Sequence, residues 1–171
     1  MKRILFLLAA LTMLAASAHA EHFKFMGIPL DGSLPQFEKA LLAKGFTPTN
    51  LSVESPNYKW YEGIYYNNNA LLGVCYSPKS KTVCSVGIGI TPADAAAKSE
   101  FAMLCRAIEN KYPNHTKTIE QPEANTVEKI SYWIGDLGRI VLSLHADNMI
   151  NIFYGDRENN LLYDRERNED I

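Results

Sequence analysis

Basic charge, cysteine and apolar length are all in short supply in this chain, and each shortage closes off a class of protein. Lysine and arginine number 17 against 19 acidic residues, so the positive field that a phosphate backbone requires is missing and nucleic acid is excluded as a partner. There are three cysteines, Cys75, Cys84 and Cys105, and none has a second Cys or His two to four residues away, so the spacing of a zinc site is absent. No metal and no cofactor is expected. Catalytic signatures are missing too: there is no G-x-S-x-G, no H-E-x-x-H and no Gly-rich phosphate loop, and Gly87-Ile88-Gly89 supplies only the first three positions of a dinucleotide fingerprint.

One apolar run does exist. Lys2 and Arg3 precede Ile4 to Ala16, and Ala18-His19-Ala20 closes the segment. This order of charge, short apolar stretch and small-residue exit reads as a secretory signal peptide over residues 1–20, too short to span a bilayer. The mature protein is expected to begin at Glu21, exported to a periplasmic or extracellular space without a stable membrane anchor. The leader takes two basic residues and no acid with it, which leaves 15 basic against 19 acidic residues, a net charge of about −4. Outside the cytoplasm a disulfide can persist. A hairpin closing around Lys79-Ser80 would set Cys75 opposite Cys84, so that pair is expected to be bonded with Cys105 free; a bond from either strand cysteine to Cys105 is the rival.

Local patterns then divide the chain. Asp31-Gly32-Ser33-Leu34-Pro35-Gln36 carries an N-cap serine, a first-turn proline and a glutamine at N3, predicting a helix over Leu34 to Lys44 with Gly45 as its left-handed exit. Thr91-Pro92 with Asp94 predicts a second helix start, and Ala97, Phe101, Leu104, Cys105, Ile108 and Tyr112 follow a 3.6 period up to Pro113. Elsewhere the period is two. Strands are expected over Thr49 to Glu54, Tyr58 to Tyr66, Ala70 to Ser77 and Thr82 to Ile90, then over Thr116 to Glu120, Val127 to Ile134, Arg139 to Ala146 and Met149 to Tyr154. The result is a single α+β domain over residues 21–171, a two-layer antiparallel sheet of about 6 to 8 strands with two helices on one face. Residues 27–90 and 91–156 each read helix, short strand, meander, with Trp60 and Trp133 in matching strands. Internal duplication is one reading of this and coincidence the other. Residues 157–171 read as a polar tail with a short helix around Leu161 and Leu162.

Phe25-Met26-Gly27-Ile28-Pro29-Leu30-Asp31-Gly32-Ser33-Leu34, followed by Phe37, Leu41 and Lys44-Gly45-Phe46, resembles the opening of small exported proteins of unknown function from Bacteroides-type bacteria. That resemblance covers the first quarter of the mature chain and implies export without implying an activity. In plan, the repeat of helix and meander is also similar to the β-lactamase inhibitory proteins, which present an open sheet face to a target.

Period two also sorts side chains between faces. Cys84, Val86, Ile88, Ile90, Ile140, Leu142, Leu144, Ile150 and Ile152 are expected under the helices, with Leu71, Gly73 and Cys75 joining them. A hairpin turning at Asn68-Asn69 leaves Tyr61, Tyr65, Tyr76, Trp133, His145 and Phe153 on the open face, together with Arg139. Such aromatics either shield the sheet or form a binding surface, since Tyr and Trp provide contact area at low entropy cost. The expected function is a non-enzymatic binding or inhibitory module with a protein, peptide or glycan partner. The alternative is a small envelope hydrolase or stress factor, for which Glu62, His145 and the Cys105 thiol are the candidate groups.

Overall fold

Residues 21–49, 51, 56–93, 95–121 and 123–169 are described by the computed structural model. The leader, most of the strand expected over Thr49 to Glu54, and Asp94 lie outside the described residues. In chain order the elements are β1 (Lys24–Phe25), β2 (Ile28–Pro29), α1 (Leu34–Leu42), β3 (Thr47–Pro48), β4 (Tyr58–Tyr65), β5 (Asn68–Tyr76) and β6 (Val83–Ile90). There follow α2 (Ala97–Lys111), β7 (Thr116–Glu120), β8 (Thr126–Ile134), β9 (Gly138–His145), β10 (Ile150–Asp156) and α3 (Arg157–Asn168).

The eight strands β3 to β10 form one sheet in the order β3-β4-β5-β6-β10-β9-β8-β7, and every neighbouring pair is antiparallel. Four strands from each half therefore lie side by side, joined where β10 pairs with β6. The short first strand of the sheet is Thr47–Pro48, two residues before the expected position. α1 and α2 supply one apolar stripe each: Phe37, Leu41, Phe101, Leu104 and Ile108 share a core with Val86, Ile88, Leu142 and Ile152. Fully burying side chains of this size stabilises by about 1.5–3 kcal/mol each.

Ser33 precedes α1 as expected, its N–H donating to Gln36 Oε1 at 3.3 Å, and Gly45 leaves the helix at φ +86. The second helix starts later than Thr91 predicts. It begins at Ala97, behind a turn in which the Ala96 N–H donates to the Ala93 carbonyl. Thr91 and Pro92 instead carry the chain from the end of β6, where Ile90 is paired on both sides, across to the helix layer.

The segment before α1 and the polar tail are both integral to the core. The first, from His22 to Leu30, is a hairpin, β1–β2, turning at Met26 and Gly27 with φ of 51 and 80; it buries Phe23, Phe25, Ile28 and Leu30. The polar tail is a full helix, α3, capped by the buried Asp156, which accepts the Asn159 N–H at 3.1 Å, the Phe23 N–H at 3.3 Å and a contact from His22 Nδ1 at 3.0 Å. Asn159 donates to the Val83 carbonyl at 2.9 Å and to that of Leu30. At its other end the buried Glu166 carboxylate accepts the N–H groups of Lys79 at 2.8 Å and Ser80 at 3.1 Å. α3 thus clamps the β5–β6 turn. Among the described residues no helix is long and apolar enough to cross a membrane.

Candidate functional site

The face of the sheet opposite α1 and α2 is the candidate site, and its composition was decided by one extra residue. Around the β5–β6 turn, the Ser77 N–H donates to the Thr82 carbonyl and Tyr76 pairs with Val83, the register that a turn at Lys79-Ser80 implies. A bulge then intervenes. Cys84 is left over, Cys75 pairs with Ser85, and the partners continue as Val74 with Val86, Gly73 with Gly87 and Leu72 with Ile88. A slip of one residue sends each side chain of a strand to the other face. Leu72 and Val74 are therefore buried under the helices, and Leu71, Gly73 and Cys75 move to the open side.

β4 follows β5. Their turn is the pair Tyr66-Asn67, both at positive φ, not Asn68-Asn69, so Tyr61 pairs with Leu72 and Tyr65 with Asn68. The expected placement of three tyrosines is thereby corrected. Tyr61 is fully buried, Tyr65 is buried against Phe25 at 5.8 Å between ring centroids, and Tyr76 packs partly buried against the core. β8, β9 and β10 carry no such inversion near the centre. Trp133 and Phe153 are exposed on the open face, while Arg139 and His145 are half-buried there.

What replaces the three tyrosines is a groove of about 1060 Å³. Gly73, Gly87 and Gly89 lie in its floor with Ser85 and Ser143. One wall is Tyr58, Trp60, Glu62 and Ile64 of β4 with Leu71; the other is Val141, Asn151 and Phe153. The Tyr58 and Trp60 rings stack at 6.3 Å with planes 21° apart. Trp60 lies across Gly73, where a Cβ would come within 2.9 Å of its ring, and Phe153 lies across Gly155, where the distance would be 2.8 Å. Gly87 between them has open space: a Cβ there would meet only Phe153, at 4.0 Å. At Gly89 a Cβ would come within 3.0 Å of Asn151 Oδ1, so the open part of the floor is at Gly87, with large rings on either side as its banks. Among the described residues the covered Trp60 indole N–H has no hydrogen-bond partner, which leaves a donor unsatisfied at the wall. Beyond the groove, Arg139 stacks on Trp133 with Cζ 5.2 Å from the ring, and Asn151 bonds His145 Nε2 at 2.9 Å.

At the α3 end of the groove sits a thiol pair. Cys75, Cys84 and Cys105 are all free and buried. Hydrogen bonding with Cys84, whose S–H reaches the Thr82 carbonyl at 3.3 Å, and with the Tyr58 and Ser85 hydroxyls outweighs burial and holds Cys75 down to about 7. The same interaction with Cys75 pushes the Cys84 thiol up, and burial adds to the effect. Burial and the neighbouring Cys75 push the Tyr58 phenol up. Cys105 belongs to the helix layer, where burial holds its thiol protonated beside Tyr132.

The groups proposed for catalysis do not converge. Glu62 on β4 and His145 on β9 are four strands apart, about 19 Å at the usual interstrand spacing, and His145 spends its Nε2 on Asn151. Among the described residues no cluster of three or more His, Cys, Asp or Glu is placed to hold a metal ion. Comparison with protein-family models, curated proteins and solved structures finds no match to the chain. The glycines that define the groove were legible as an alternation, Gly87 and Gly89 between Val86, Ile88 and Ile90; Trp60 was visible only as a repeat marker.

Proposed function

We propose that this chain is an exported, non-enzymatic binding or inhibitory module whose open sheet face grips a segment of a partner protein. The observation that carries the reading is the glycine-floored channel between the Tyr58–Trp60 bank and Phe153. The opening over Gly87 admits a partner backbone close to the sheet, and the rings beside it supply the aromatic area that dominates binding energy at interfaces. The lining is mainly apolar, which favours a polypeptide with apolar anchors over a glycan, whose hydroxyls would lose water without enough partners. Among the described lining residues Glu62 is the one charged side chain, so the segment that fits carries a lysine or arginine at that end. Wide separation of Glu62 from His145 supports binding over hydrolysis.

The test uses the mature protein as bait in envelope and medium fractions, followed by affinity measurement on whatever is captured. Trp60→Ala and Phe153→Ala are each expected to weaken that partner at least tenfold. Glu62→Lys should weaken it too, while Ile119→Ala, at an exposed edge position, should leave it unchanged. Equal affinity in the Trp60 and Phe153 variants would overturn the proposal.

A further inference from the structure

On the opposite side of the sheet, away from the groove, α1 and α2 leave a second cavity of about 430 Å³, within the range of small-molecule sites. Its floor is Ile152 and Tyr154 of β10 with Leu104 and Ile108 of α2. Two tight turns shape its mouth, Met26-Gly27 of the β1–β2 hairpin and Tyr66-Asn67 of the β4–β5 hairpin, each with both residues at positive φ. The walls are aromatic: Tyr65 and Tyr66 meet edge to face at 4.7 Å, and Tyr112 closes the α2 side.

Charge at this mouth is of one sign. Lys24, Lys44 and Lys111 come from the hairpin, the exit of α1 and the last turn of α2, and no acidic side chain stands among the described residues that line the cavity. This is unexpected in a chain whose acids outnumber its bases. Lys111 lies over the Tyr112 ring at 5.0 Å, and none of the three lysines is in an ion pair among the described residues. An apolar, tyrosine-walled pocket lined by three lysines and no acid is complementary to a molecule with an apolar body and one anionic head. We infer that this cavity binds a free anionic amphiphile, a medium-chain or aromatic carboxylate, with its body on Ile108 and Ile152 and its head among Lys24, Lys44 and Lys111.

Fluorescence titration with 8-anilinonaphthalene-1-sulfonate, an anionic aromatic probe, and displacement by laurate test this on the mature protein. One saturable site is expected, displaced by laurate, and weakened at least tenfold in the Lys24→Gln/Lys111→Gln double variant. The uncharged probe N-phenyl-1-naphthylamine should bind more weakly and ignore that double change. Ala107→Trp, an exposed α2 position on the cavity rim, should block both probes while the thermal midpoint stays put, and it reads the site even if the double variant unfolds. Ile119→Ala, at the exposed β7 edge and outside both cavities, should change nothing here. Equal binding of charged and uncharged probes, unaltered affinity in both pocket variants, or binding of phosphatidylglycerol vesicles without laurate would overturn the assignment.

Discussion

Gly87→Val separates the groove from the fold. Most substitutions at a buried sheet centre destabilise, but this glycine has no φ in the left-handed region, and a Cβ on it meets only Phe153 at 4.0 Å. Its cross-strand partners are Gly73 on β5 and Phe153 on β10. Glycine in a strand costs about 0.5–1 kcal/mol of extra chain entropy on folding, and a β-branched residue beside an aromatic adds about 0.2–1 kcal/mol. The variant is expected to be more stable by about 1 kcal/mol, a rise in thermal midpoint of about 2–4 °C for a domain of this size. The two added methyl groups stand where the partner backbone would lie, so affinity for the captured partner should fall tenfold or more. Thermal unfolding followed by circular dichroism, with titration calorimetry on the partner, reads both. A loss of 1 kcal/mol or more of stability would show that the channel is already filled, and unchanged affinity would show that nothing binds there.

Gly63→Ala should behave in the opposite way, because its Cβ would come within 2.7 Å of the buried Phe46 ring; overpacking of this kind costs about 1–3 kcal/mol, read as a lower denaturation midpoint. Glu166→Gln should cost about 1 kcal/mol at neutral pH, since hydrogen bonds to a charged acceptor are stronger than to a neutral one. Burial pushes the Glu166 carboxyl up, but the Ser80 hydroxyl and the Lys79 and Ser80 N–H groups outweigh it and hold the carboxyl below its usual range. A depressed carboxylate stabilises above its unfolded-state pKa and loses that contribution as pH falls, so the difference from the parent should shrink below about pH 4.3. With oxidised glutathione, Cys75 and Cys84 should join, and alkylation of Cys75 should accelerate as pH rises through about 7; a linked peptide containing Cys105 would refute the pairing.

Local spacing was enough to determine the element types. Helical stripes such as Phe101, Leu104, Cys105 and Ile108, capping residues such as Ser33, and two-residue alternation in β6, β9 and β10 act within a few residues of themselves, so they specified an antiparallel α+β fold and the inward faces of those strands. The pairing of β6 with β10, the clamp of α3 on the distant turn at Lys79 and Ser80, and the meeting of three lysines at one cavity all join residues far apart in sequence, and only tertiary packing decided them. β5 shows the boundary most clearly. Ala70-Leu71-Leu72-Gly73-Val74-Cys75 is apolar on both faces, so its own pattern cannot choose a side. The bulge at Cys84 chose, turning Tyr61 and Leu72 into core and Trp60 and Gly73 into a groove, because burying two tyrosines and two aliphatic side chains beneath the helices removes more apolar surface from water than the opposite register would.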